Sequence, residues 1–289
     1  METTINLSEL IFNSINELFS KLFSSVDNTI YSLLDNIIFI DSDIISENLF
    51  QKILGTSNSG LLLICNGLIF GIILYYSINY LLSHLTYSKI DSPKQFIFKS
   101  IIFISVMNSS LWICEQLINI ISLITLAISN ISLDLFNSEI SFAKFIENMN
   151  KLIYLSNDGF DIFSFNGIIK SFTSFGLVNL LFTYSLRYIM IQIFILTSPF
   201  AFLCLINSST EWFFSIWLKS FVSLLLVQLL ISLILLLSFS IDFTQDSNIS
   251  KLLYIGIIYA LTKANIFMKE IFGGISTNIT NNFSNIFYK

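Results

Sequence analysis

Charge is what this chain is short of. Only 11% of its 289 residues are Asp, Glu, Lys or Arg, against about 25% in an ordinary soluble domain, while 54% are hydrophobic. That balance excludes a freely dissolved globular domain. Arginine occurs once, at Arg187, and histidine once, at His84. There is accordingly no HExxH pair for zinc, and no GxxxxGK[ST] loop to hold nucleotide phosphates. The three cysteines, Cys65, Cys114 and Cys204, sit inside apolar runs without CxxC spacing, so neither a zinc site nor a disulfide framework is indicated. No catalytic, metal-ligating or cofactor-binding set is expected. The net charge of −5 says little about partners, because the acids cluster in a few segments and no basic tract suggests direct nucleic-acid binding. The first sixty residues carry Glu9, Glu17 and Lys21 among their apolar positions, so no cleavable signal peptide is expected there.

What the chain does have is long apolar runs. Ser220 to Ile241 holds no charge, no Pro and no Gly between Lys219 and Asp242, with Gln228 its one strongly polar side chain. At 1.5 Å per residue a helix of that length covers roughly 30 Å, the thickness of a bilayer's hydrocarbon core. The same reading gives further spans at about 61–83, 101–121, 175–197 and 252–268, with a mostly solvated outer loop over 123–170 that has room for one short amphipathic helix. Around 171–219 the alternative of two short spans stays open, so the count is about five, within four to six. The expectation is an all-α polytopic membrane protein with a transmembrane domain over 61–268.

Ahead of the spans, Ile11, Ile15, Leu18, Leu22, Val26, Ile30, Leu33 and Ile37 recur at spacings of three and four. This predicts an amphipathic helix within an extracytoplasmic segment, 1–60, with a candidate break near Ser24 and Ser25. Its expected place is the bilayer surface or a partner helix, and the five spans are expected to insert without it. Residues 269–289 read as a polar cytoplasmic tail.

Individual side chains mark the spans. Gly67 and Gly71 form a GxxxG pair that lets two helix backbones approach closely in lipid, and Gln228 is suited to an interhelical hydrogen bond. Arg187, in an otherwise charge-free stretch, is expected to face protein or water, with Glu115 as a candidate partner. Asn108 and Gln192 are the other intramembrane polar residues. Pro199 is expected to end or kink its helix, and Trp212 and Trp217 read as anchors at the headgroup level.

The lysines orient the chain. With the N-terminus outside and the C-terminus inside the cell membrane, the inner segments 84–99, 198–219 and 263–289 hold seven lysines against three acids. Only the basic residues count in that rule.

The stretch from LRYIMIQ at 186 through SPFAFL and TEWFF to LLLSFS at 240, followed by 250–277 ending in FGGIST, resembles the TrbL-type conjugal transfer membrane proteins. The GTSNSG lead-in to the first span and the loop HLTYSKIDSPKQFIFKS are similar to the same group. These are polytopic inner-channel components of type IV secretion systems, found also on conjugative elements of Gram-positive bacteria. The resemblance implies an oligomeric structural part that helps pass single-stranded DNA with its bound relaxase across the cell membrane. Other type IV secretion membrane subunits and ATPases would then be its partners, with no small-molecule ligand. A second class stays open: a small oligomeric permease whose path is lined by Arg187, Glu115, Asn108 and Gln192.

Overall fold

A computed structural model describes residues 7–41, 43–46, 52–53, 60–86, 92–154, 161–241 and 248–273. All regular elements among them are helical, as a bilayer demands of a chain that must satisfy its backbone internally. Among the described residues five helices are long and apolar enough to cross a membrane: Leu61–Leu85, Ser110–Phe136, Phe165–Ile206, Glu211–Phe239 and Asn248–Phe272. The chain is an all-α, multi-pass membrane protein.

The N-terminal helix, α1 (Leu7–Ile38), is continuous through Ser24 and Ser25. The two serines do not interrupt it, because Phe23, Ile30, Leu34 and Ile38 keep one buried face across them. It is followed by a single turn, α2 (Asp43–Ser46), and by the first long apolar helix, α3 (Leu61–Thr86).

The second crossing is not where the charge-free run placed it. A capping box opens α4 (Pro93–Asn108): Gln95 N donates to Ser92 Oγ, Ser92 N donates to the Gln95 side chain, and Pro93 occupies the first turn. The helix ends in Asn108-Ser109-Ser110, where Ser109 adopts φ −94° and ψ 9°. Short polar side chains in a row offer the backbone alternative hydrogen bonds, so the expected span at 101–121 straddles a break. The crossing helix is α5 (Ser110–Phe136), which stops where Asn137 turns left-handed (φ 51°) and donates to the Leu133 carbonyl at 2.9 Å.

The expected outer loop over 123–170 is therefore largely helical. After α5 comes α6 (Phe142–Tyr154), which buries Phe142, Phe145, Ile146 and Met149 and exposes Lys144, Glu147 and Lys151. Glu147 accepts from Lys151 at 2.7 Å and from Lys144 at 2.9 Å. Those hydrogen bonds hold its carboxyl down at about 2, so the triad persists until the pH falls to that value. The three side chains are solvent-exposed, and the stabilisation they give is correspondingly small.

Ser164 caps α7 (Phe165–Leu203) by accepting from Gly167 N at 3.0 Å. A Cβ on Gly167 would collide with the Asp161 carbonyl, so this tight entry requires glycine. Of the two outcomes expected at Pro199, an end or a kink, the first does not occur. The helix continues through it to Leu203 and tightens into a 3-10 turn at Cys204–Ile206. Proline removes one ladder bond and crowds the preceding turn; there the Phe194 carbonyl accepts from the Trp217 indole at 3.1 Å. Then follow α8 (Glu211–Phe239) and α9 (Asn248–Phe272), the latter longer at both ends than the expected 252–268.

Two buried clusters divide the bundle along its length. The first joins α1 (Ile30, Leu34, Ile38), α6, the first half of α7 (Ile169 to Tyr184), the last half of α8 (Val227 to Phe239) and α9. The second joins α2, α3, α4, the start of α5, the last half of α7 (Ile191 to Leu203) and the first half of α8 (Trp217 to Leu225). Antiparallel packing of α7 and α8 produces this division, and α1 runs parallel to α7. Ile162 N, just before α7, donates to Asn16 Oδ1 at 3.1 Å, while Arg187 reaches the last residue of α1. The N-terminal helix is thus part of the bundle and packs along α7. Most of the tail reading, residues 274–289, lies outside the described residues.

Candidate functional site

Arg187 lies near the middle of α7, twenty-two residues after the start of that candidate crossing and nineteen before its end. Its side chain is completely buried. Nε donates to the Leu224 carbonyl of α8 at 2.8 Å, and Nη1 donates to the Ile38 carbonyl at the end of α1 at 3.1 Å. The C-terminal end of a helix carries partial negative charge on its unsatisfied carbonyls, so the end of α1 is a suitable neighbour for a buried cation. Nη2 is buried with no hydrogen-bond partner.

The proposed Glu115 pairing is not formed. Glu115 is half-buried on α5, and no ion pair links it to Arg187 among the described residues. The guanidinium is taken up by the Leu224 and Ile38 carbonyls instead. Asn108 is exposed and donates to the Ile104 carbonyl of its own helix at 2.9 Å, while Gln192 is half-buried on α7. Of the four polar residues nominated as a permease path, Asn108 bonds within its own helix and Arg187 bonds to backbone carbonyls.

Gln228 does join Arg187, in a way the sequence did not suggest. Its Oε1 accepts from the backbone N–H of Ile40 at 3.1 Å, so its partner is the unwound chain just after α1 and not another crossing helix. Arg187 and Gln228 together satisfy a carbonyl and an amide on either side of Phe39. Three residues before Arg187, Tyr184 is fully buried and donates to the Leu261 carbonyl of α9 at 2.6 Å. Two buried lysines add further ties, Lys170 to Asn150 at 2.7 Å and Lys251 to Asn166 at 3.0 Å. Periodicity carries no signal for such bonds, because each joins elements far apart in sequence.

Beside the Arg187 and Gln228 contacts opens a cleft of about 490 Å³. It is lined by Asp35, Asp41 and Asp43 with Ile40, Ser141 and Tyr188 among others. Asp35 also caps α6, accepting from Phe142 N at 2.8 Å. No group of His, Cys, Asp and Glu suited to a metal ion occurs among the described residues.

The tryptophans separate. Trp212 is exposed in the first turn of α8, whereas Trp217 is buried among Phe194, Phe202 and Phe221. Trp217 is therefore a packing residue between α7 and α8 and not a headgroup anchor, because its indole N–H finds the Phe194 carbonyl inside the protein. No family model matches the chain, and no curated protein or solved structure matches it.

Gly67 and Gly71 lie on an exposed face of α3, and a Cβ on either would meet nothing within 4 Å. The close approach that glycine permits occurs elsewhere, at Gly176 on α7, where a Cβ would lie 2.6 Å from Ile258 Cγ2 of α9. A chain with both Gly67 and Gly71 replaced by Leu is therefore expected to keep its own fold and detergent melting temperature. If those glycines meet a helix of another subunit, recovery of the assembly on size-exclusion chromatography falls while the single chain stays intact. Lowered stability of the isolated double variant would show instead that the face packs within the chain.

Proposed function

We propose that this protein is a structural membrane component of a conjugative type IV secretion channel. In that role it helps single-stranded DNA with bound relaxase cross the cell membrane, with the N-terminus outside and the C-terminus inside. The observation that carries the reading is the resemblance over 186–240 and 250–277, which falls on the last half of α7, on α8 and on α9. These three helices pack on one another, as a structural part of an assembly requires. Transport energy would come from separate ATPases, consistent with a sequence that holds no nucleotide-phosphate loop.

A small oligomeric permease is the second reading, and the polar cleft beside Arg187 favours it. Broken helices and polar cavities at mid-membrane are where transporters bind solutes. Two assays separate the readings. Purification of the tagged protein from cells carrying the whole element is expected to recover secretion-system subunits and ATPases. The purified chain alone in liposomes is expected to show no uptake of small solutes. Solute uptake with no recovery of secretion partners would reverse the order.

A further inference from the structure

Two charged side chains near the end of the bundle where α7 stops have no partner among the described residues. Glu115 is the sixth residue of the candidate crossing Ser110–Phe136 and Lys219 the ninth of Glu211–Phe239, which puts them about 8 and 12 Å inside those helices at 1.5 Å per residue. Glu115 is half-buried and Lys219 is exposed. Neither forms an ion pair or a side-chain hydrogen bond among the described residues.

Contacts with α7 place the two charges at one level. Cys114, beside Glu115, meets Ser198 of α7. Trp217, two residues before Lys219, donates its indole N–H to the Phe194 carbonyl at 3.1 Å and to Thr197 Oγ1 at 3.2 Å. Both charges are therefore level with residues 194–198 of α7, a stretch of about one and a half turns. Each also belongs to a face turned away from the core. On α5, Trp112, Glu115 and Asn119 recur at i, i+3 and i+7; on α8, Trp212, Ile216 and Lys219 recur at i, i+4 and i+7. Trp112, Trp212 and Ile216 are exposed, and Asn119 is half-buried.

Hydrocarbon satisfies neither group, since an ionised side chain in a membrane needs a paired charge, water or headgroups. A lysine's long stem carries its ammonium toward the headgroups, but the shorter glutamate has less reach. The chain thus offers one unpaired anion and one unpaired cation at the same depth, on different helices. We propose that a second copy of this chain covers them. The α8 face of one copy packs on the α5 face of the next, and Lys219 of the first pairs with Glu115 of the second. The charges are complementary, and each flanking face adds a tryptophan to the contact. Because the two surfaces differ, the contact is heterologous, and repeated around a closed ring it leaves no Glu115 and no Lys219 unpaired. The inference does not depend on the channel reading, because the chain faces the same two charges in any assembly.

The test uses chains whose Cys65, Cys114 and Cys204 are replaced by Ala, expressed in one cell as two differently tagged forms. With Lys219→Cys in one form and Glu115→Cys in the other, a short bifunctional thiol reagent is expected to give a product carrying both tags in native membranes. Absence of that product, while Phe194→Cys and Trp217→Cys within one chain do link, would overturn the contact. So would a chain bearing both Glu115→Cys and Lys219→Cys that links only within itself. Charge is tested separately, by size-exclusion chromatography with light scattering after extraction in mild detergent. The native chain is expected to elute at a multiple of its own mass. Glu115→Lys and Lys219→Glu are each expected to lose that species, and the double exchange in one chain to restore it. A double exchange that stays at the mass of one copy would overturn the ion pair, as would single exchanges that leave the larger species intact.

Discussion

Arg187→Leu is expected to leave α7 inserted in the membrane while releasing the end of α1. On insertion scales a central arginine costs about 2.5 to 3.5 kcal/mol and a leucine gains about 0.3 to 0.6, so α7 itself enters lipid more readily without the guanidinium. Against that stands the loss of two buried hydrogen bonds from a charged donor, to Leu224 and Ile38, each worth about 1.5 to 3 kcal/mol. The two effects fall on different elements and do not cancel. Membrane yield should be unchanged, while a cysteine at Ile38, fully buried in the native chain, becomes roughly tenfold or more reactive. Glu115→Gln should leave that reactivity alone, since Glu115 does not touch the guanidinium. An Ile38 cysteine that stays protected in the Arg187→Leu background would show that other contacts hold the α1 end.

Deletion of residues 1–38 is expected to cost the protein its stability, whereas the sequence pattern presents this helix as a dispensable outer docking face. The helix packs along α7, contributes Ile30, Leu34 and Ile38 to the first cluster and places its last carbonyl on Arg187. Removing it leaves Nη1 as well as Nη2 without a partner in a buried site, at about 1 to 3 kcal/mol for each orphaned group. It also takes Asp35 from the N-terminus of α6. The truncated chain should reach the membrane at a severalfold lower level and melt well below the full chain in detergent. A truncated protein with full-length yield and melting behaviour would mean that α1 rests on the bundle without supporting it.

The crossing helices were legible because a bilayer imposes a length and an absence of charge, and both are local properties of the sequence. All but the last two residues of the run from Ser220 to Ile241 lie inside α8, and the apolar runs after Gly60 and Phe175 lie inside α3 and α7. The errors share one cause, which is that hydropathy does not record who satisfies a backbone group. Asn108 to Ser110 reads as a polar patch on a span and is in fact the joint between two helices. Pro199 reads as an end or a kink, and its helix runs on to Leu203, packed against a neighbour whose indole donates to the preceding turn. Asp134, Glu139 and Glu147 mark a polar stretch, and the short amphipathic helix expected there is α6 with Glu147 on its exposed face, but Asp134 lies in the last turn of α5, which runs on to Phe136.

The candidate site was legible only as a list of unusual residues. Arg187 and Gln228 stood out because each is polar in an apolar run, and the structure brings both to the same turn of chain. Their partners are backbone groups of residues 38 and 40, separated from them by 149 and 188 positions, and a backbone group has no sequence signature. Gly67 and Gly71 matched a packing motif but face outward, whereas Gly176, with no glycine four residues away, is the one against which α9 packs.

That this chain is a passive membrane part of a DNA-transfer channel is tested most directly by a clean deletion of its gene in a donor strain, with transfer frequency and relaxase nicking at the transfer origin measured together. The expected result is loss of transfer below detection with nicking unchanged, and restoration of transfer by the intact gene in trans. Transfer at the parental frequency in the deletion strain, with no second copy of the gene present, would contradict the channel role and leave the permease reading in its place.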